Sequence, residues 1–148
     1  MSKQNKTYNA EKTIKLHNHW LKKGKSDISG DGLISIRNIP AGILLLEYTG
    51  KCITEEEAES TTYKDNRYLL STESGTIIDG SSESNRAAFI NHSCNPNCEA
   101  ITLNEKAYIK SIHPIKKGEE LCYNYNLESY EWIKHCRCPT CRQQKINK

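Results

Sequence analysis

Three short stretches of the chain hold residue types that can do chemistry. Asn91 to Cys98 reads NHSCNPNC, which packs a His, three Asn and two Cys into eight positions. Gly118 to Tyr125 reads GEELCYNY and carries Tyr123 and Tyr125 in a strand-like run. Cys136 to Cys141 reads CRCPTC, a C-x-C-x₂-C pattern. Three thiolates that close together can converge on one tetrahedral ion, and a Cys₄ or Cys₃His site then needs one distant ligand. Cys94, Cys98 and His135 are the candidates; His135 abuts Cys136, which makes joint ligation by those two strained. A site filled by thiolates leaves no position open for an activated water, so the metal is structural and pins the basic C-terminal segment onto the body.

The remaining bounds follow from the whole chain. Its 148 residues suffice for one domain with a real core, and 36% hydrophobic against 26% charged residues suit a soluble protein with much surface. No apolar run approaches the roughly 20 residues of a membrane helix, and the opening MSKQNKTYNAEK lacks the apolar centre of a secretory signal. The expected location is therefore intracellular, cytoplasmic or nuclear, or outside the cell by a signal-less route. Disulfides need an oxidising compartment, so the clustered Cys favour metal ligation. Cys52 and Cys122 lie in strand-like runs and are expected to be buried small hydrophobes. Charge is segregated: residues 1–25 carry seven Lys and one Glu, residues 133–148 carry five basic residues and no acid, and the stretch between is net acidic. An acidic body steers a basic, Lys-rich partner toward itself. The basic ends can also touch nucleic acid, although no aromatic–basic stripe accompanies them.

Short strands must position these groups. Leu33–Ile36 and Ile43–Tyr48 flank a turn at 39–42. Thr54 to Glu57 reads as a capping box opening a short helix over 55–61. The runs 67–70 and 76–79 form a hairpin around Glu73-Ser74-Gly75; 98–103 and 107–112 form another across Asn104-Glu105. A strand is expected over 120–125 and one or two helical turns over 127–134; the first 25 residues show no clear period. The alternation of short strands and turns predicts a mainly β domain.

These residues also spell a family. FINHSCNPNC at 89–98 resembles the signature of SET-domain methyltransferases. GEELCYNY, the SGDGL turn at 29–33 and the EYTG run at 47–50 resemble its other motifs, in the same order and spacing over roughly 26–142. The resemblance implies a SET fold of several small β-sheets with few short helices, in which the NHSC segment threads under a loop to form a pseudoknot. It divides the chain into a flank at 1–25, a SET domain at 26–126 and a post-SET zinc-binding tail at 127–148. It implies S-adenosylmethionine as methyl donor, S-adenosylhomocysteine as product and a protein lysine as acceptor, with nucleic acid involved only indirectly if the substrate is chromatin. It favours Cys94 as the ligand that joins Cys136, Cys138 and Cys141 on one structural Zn²⁺.

The implied chemistry is an in-line displacement by a neutral amine. Free Lys has a pKa of roughly 10.4, so about one in a thousand is neutral near pH 7. An apolar aromatic channel disfavours the ammonium and can stabilise the sulfonium charge. By resemblance Tyr125 is the catalytic tyrosine, Tyr123 limits how many methyl groups fit, and Tyr48 walls the channel. Tyr123 carries a hydroxyl where other members have Phe, which predicts mono- or dimethylation. Ser29, Gly30, Asp31, Tyr68, Asn91, His92 and Tyr125 correspond to donor-binding positions, and Tyr130 or Trp132 can close over the adenine. The chain departs from the family pattern at Ala88, where many members have Arg (Arg86 lies two residues earlier), and at Asn124, where Asp is usual. The C-x-C-x₂-C spacing resembles that of the SET-MYND branch, without a MYND finger or a Cys-rich pre-SET region. A non-catalytic SET module that binds basic peptides is the competing expectation.

Overall fold

The computed structural model describes residues 14–125 and 136–146. The helical turns expected over 127–134, together with Tyr130, Trp132 and His135, lie outside the described residues. Among the described residues ten short strands form four small sheets. β1 (Leu21–Lys25) pairs antiparallel with β2 (Asp31–Ser35). β3 (Leu44–Tyr48), β9 (Lys106–Ser111) and β8 (Cys98–Leu103) form an antiparallel sheet in that spatial order. β4 (Lys51–Ile53), β6 (Ile77–Asp79) and β5 (Leu69–Ser71) form another. β7 (Asn91–His92) and β10 (Cys122–Tyr123) pair in parallel. Among the described residues the α-helices are α1 (Glu55–Ala58) and α2 (Pro139–Ile146). Among the described residues no helix is long and apolar enough to cross a membrane.

Local chemistry accounts for the joints. Thr54 Oγ1 accepts the Glu57 N–H at 3.1 Å, the expected N-cap, but α1 stops at Ala58 rather than 61. The β8–β9 hairpin turns through Asn104 and Glu105 at φ of 52° and 66°, the left-handed pair that a two-residue turn needs to match strand twist. In β3 the register slips between Leu44 and Leu46, so Leu45 is a bulge residue. That slip lets Leu45 and Leu46, adjacent in sequence, both face inward. Leu33, Leu45, Ile90, Ile109, Ile115 and Leu121 form the centre of the core.

Two expectations are corrected. The segment 120–125 is not one strand, because it changes partner midway. Leu121 N–H bonds Leu33 O at 2.8 Å and Glu120 bridges Ile34, whereas Cys122 and Tyr123 pair with Asn91 and His92. Cys52 is exposed, since β4 is a three-residue edge strand that turns only Ile53 inward; Cys122 is buried as expected. Upstream, β1 fills part of the segment that showed no period. Arg86 holds it: Nη1 donates to Asn18 O at 3.0 Å and Nη2 to Leu21 O at 2.6 Å. The parallel β7–β10 pair threads the NHSC segment beneath the returning chain, a pseudoknot-like crossing that brings the three chemical stretches together.

Candidate active site

The parallel pair sets the site. Ser93 N–H bonds Tyr123 O at 3.1 Å, which ends the ladder and turns the chain toward Tyr125. Tyr125 N–H then bonds His92 Nδ1 at 3.0 Å. The Tyr125 ring lies 4.8 Å from that of Tyr123 and edge-on to the His92 ring at 5.3 Å. Its hydroxyl donates to Ile90 O. From the opposite side β3 supplies Tyr48, whose hydroxyl donates to Tyr68 O at 2.8 Å.

These side chains wall a cavity of about 620 Å³. Of the residues expected at the site, Ser29, Asp31, Tyr48, Tyr68, Asn91, His92, Tyr123 and Tyr125 line it. Gly30 is not in the wall. A Cβ there would meet nothing, and the position needs glycine for its φ of +53° instead.

The loop 26–31 is tied down from two directions. Ser26 Oγ accepts the Ile28 and Ser29 amides at 2.8 and 3.1 Å and donates to Glu120 Oε1 at 2.6 Å. Asn91 Nδ2 lies 2.8 Å from the same Glu120 oxygen and 3.0 Å from Ser29 O. The Asn91 amide nitrogen therefore holds the loop.

Tyr48 is positioned by residues with no evident chemistry of their own. Asn85 is buried, accepts the Thr49 amide at 3.1 Å and donates to Gly80 O at 2.9 Å. A Cβ on Gly80 would fall against the Tyr48 ring and the Asn85 amide. Ser26, Glu120, Asn85 and Gly80 were not singled out in the sequence. Glu120 alone carried a signal, its place in GEELCYNY. Arg67 and Arg137 also line the cavity, with no signal in the sequence.

Electrostatics keep the wall neutral where the tyrosines meet. Burial pushes the Tyr48, Tyr123 and Tyr125 phenols above the ordinary tyrosine range, and each is raised further by a neighbouring phenol. Burial also lowers the His92 pKa, favouring the neutral ring that its Nδ1 acceptor role requires. Such a wall disfavours a bare ammonium and offers hydroxyl oxygens to an amine. Tyr123 makes no hydrogen bond through its hydroxyl among the described residues, whereas Tyr48 and Tyr125 each donate to a backbone carbonyl.

Beside the cavity lies the thiol cluster. One sulfur each from Cys94, Cys136, Cys138 and Cys141 falls within 4.8 Å of all the others. The Cys94 and Cys141 sulfurs are 3.6 Å apart, near the roughly 3.8 Å edge of a tetrahedron with metal–sulfur bonds of about 2.3 Å. Despite its burial, the Cys138 thiol is pulled down to about 6 by backbone N–H groups of Cys94 and Cys141, whereas burial raises the Cys94 and Cys141 thiols. A thiolate at neutral pH is the form that binds a metal. Of the candidate fourth ligands, Cys94 joins the cluster. Cys98 is buried in β8 opposite Ser111, its thiol raised by burial to about 12. Cys136 and Arg137 also line the cavity, so the cluster supplies part of its wall.

Comparison with known proteins shows the family of the chain. The family model for the SET domain matches residues 30–126. The chain is 32% identical over 143 residues to histone-lysine N-methyltransferase set1 of Dictyostelium discoideum, covering 88% of this chain and 10% of that protein. It is 34% identical over 125 residues to histone-lysine N-methyltransferase ASHH1 of Arabidopsis thaliana, covering 77% and 25%. It is 33% identical over 138 residues to an H3 lysine-4 specific histone-lysine N-methyltransferase of Mycosarcoma maydis, covering 83% and 9%. The chain thus spans a quarter or less of the length of these three relatives. With the match running from the Gly30 loop through the tyrosine pair, the chain belongs to the SET-domain family.

Proposed function

We propose that this protein transfers methyl groups from S-adenosylmethionine to the Nζ of a lysine in a basic protein substrate. The observation that carries the reading is the cavity in which Tyr48, Tyr123 and Tyr125 converge beside the 26–31 loop and His92. In this reading residues 26–126 form the catalytic unit, 127–148 close it through one structural Zn²⁺, and 1–25 flank it. A histone is the first acceptor to test, because the relatives are named as histone-lysine methyltransferases. The acidic middle of the chain suits a basic tail.

The donor supplies a methyl group activated on a sulfonium sulfur. The protein's part is to bind, orient and exclude water. Ser29, Asp31, Tyr68, Asn91 and His92 form the donor side, with Gly30 shaping the loop behind them, and the aromatic faces favour a sulfonium cation. Tyr48 and Tyr123 wall the lysine channel, whose dry surroundings favour loss of the amine proton. Tyr125, fixed at its amide by His92 and at its hydroxyl by Ile90 O, directs oxygen lone pairs at the reacting groups and lowers the cost of alignment. The free Tyr123 hydroxyl holds the amine or a water and blocks the rotation needed for further rounds.

Two outcomes follow here. Tyr123→Phe is expected to shift product from mono- and dimethyl-lysine toward trimethyl-lysine, read by mass spectrometry of the modified peptide. Efficient trimethylation by the native protein would contradict the assignment. The initial rate at saturating donor is expected to climb with pH from about 7 to 9, because more of the lysine is neutral. The raised phenols keep their protons through this window and the lowered His92 stays neutral, so neither introduces a falling limb. A bell-shaped profile that declines before pH 9 would count against the buried-phenol account.

The activity itself is tested by incubating the protein with radiolabelled donor and histones, ribosomal proteins or itself as acceptor. Label in wild type and none with Tyr125→Phe is the expected result. Tight binding of a basic peptide without transfer would favour a non-catalytic module.

A further inference from the structure

We infer that His92 is a positioning residue that relays metal binding at the thiol cluster to the backbone of Tyr125. The inference rests on the methyltransferase reading for its consequence, but its geometry stands apart from any activity.

The β7–β10 ladder explains why a side chain is needed. Backbone pairing between the segments ends with Ser93 N–H to Tyr123 O. The next inward donor, Tyr125 N–H, meets the imidazole instead, with Nδ1 accepting at 3.0 Å. The position of the Tyr125 amide therefore depends on where the His92 ring sits. A ring nitrogen that accepts carries no proton, so the ring proton lies on Nε2. Nε2 is 3.2 Å from Cys94 Sγ.

That sulfur is 3.6 Å from Cys141 Sγ and belongs to the four-thiol group. Metal loading holds the Cys94 sulfur at a fixed corner of the four-thiol group, and with it the Nε2 contact and the ring. The ring in turn fixes Tyr125. One side chain spans the whole path from Cys94 to Tyr125, and the ring is buried along it. Such contacts outside the ligand set typically change metal affinity by about 10- to 100-fold when removed.

Two substitutions separate the ends of the relay. In His92→Asn the amide falls near the Nδ1 position and can still accept from Tyr125 N–H, but it does not reach Cys94. In His92→Gln the amide falls near the Nε2 position and can still donate to Cys94, but it removes the acceptor that Nδ1 offers to Tyr125 N–H. The readouts are zinc affinity by chelator competition and amide hydrogen exchange at Tyr125 by NMR, with and without zinc.

In wild type, zinc is expected to slow Tyr125 exchange about tenfold or more. His92→Asn should bind zinc about tenfold more weakly and show the same Tyr125 exchange with and without it. His92→Gln should bind zinc as wild type does, yet leave Tyr125 exchanging fast in both states. A zinc-dependent slowing in His92→Asn as large as in wild type overturns the relay, and so does equal zinc affinity in the two variants. Should the variants not fold, the ¹⁵N spectrum of the wild-type imidazole decides. A zinc-loaded ring protonated at Nε2 supports the relay, and one protonated at Nδ1 overturns it. Absence of methyl transfer by wild type would sink the proposed activity while leaving these readouts intact, so the two failures are distinguishable.

Discussion

Tyr125→Phe is expected to lower the rate of methyl transfer by about 10²- to 10³-fold, the loss typical of removing one preorganised polar contact to a transition state. Donor affinity should change far less. The ring remains, with its contacts to Tyr123 and His92, and the backbone amide still bonds His92 Nδ1. Only the hydroxyl is lost, and with it the bond to Ile90 O. That carbonyl belongs to a residue 1% exposed, so leaving it unpaired costs about 1–3 kcal/mol of stability. A melting curve beside the kinetics separates the two effects. A folded variant with unchanged product-binding affinity and a collapsed rate assigns the loss to alignment. A variant that keeps most of its rate would remove Tyr125 from the chemistry.

The second large effect concerns the thiol cluster. Cys138→Ser, or a strong chelator, is expected to remove the metal, read as a fall from one zinc per chain by elemental analysis. It should weaken donor binding by about tenfold, the roughly 1.4 kcal/mol of one lost contact in the wall. The physical reason is placement. Cys136 and Arg137 form part of the cavity wall, and α2 is anchored to the body through Cys94. The hydrophobic core is a separate cluster built on Leu33, Ile90, Ile109 and their neighbours, so it should survive. Circular dichroism should therefore show the β signal retained while binding is lost, and zinc should restore binding to the chelated wild-type protein. Unchanged donor binding after complete metal removal would break the link between cluster and cavity and leave the tyrosine assignments standing.

The parts legible in the sequence are those fixed by short-range chemistry. The β8–β9 hairpin follows from two runs meeting across Asn104-Glu105, and the start of α1 follows from Thr54 reaching the Glu57 amide. The C-x-C-x₂-C thiols converge because six residues leave them little choice. What was hidden depends on long-range partners. β1 has no alternating pattern in LKKGK, yet it pairs along its whole length with β2. The segment 120–125 reads as one strand, but Glu120 and Leu121 serve β2 and Cys122–Tyr123 serve β7.

The site shows the same division. The tyrosines and NHSC residues stand out as motifs. Asn85 and Glu120 matter through hydrogen bonds to partners distant in sequence, Thr49 for the one and Ser26 and Asn91 for the other, which no local pattern announces. Cys52 was misplaced because a strand-like run does not reveal that its strand is an edge.

Tandem mass spectrometry of a basic protein acceptor, incubated with donor and either wild type or Tyr125→Phe, tests the central claim most directly. The account predicts one or two added methyl groups on a lysine Nζ with wild type and essentially none with the variant. No added mass with wild type, equal modification by both proteins, or methyl groups on a residue other than lysine would contradict it.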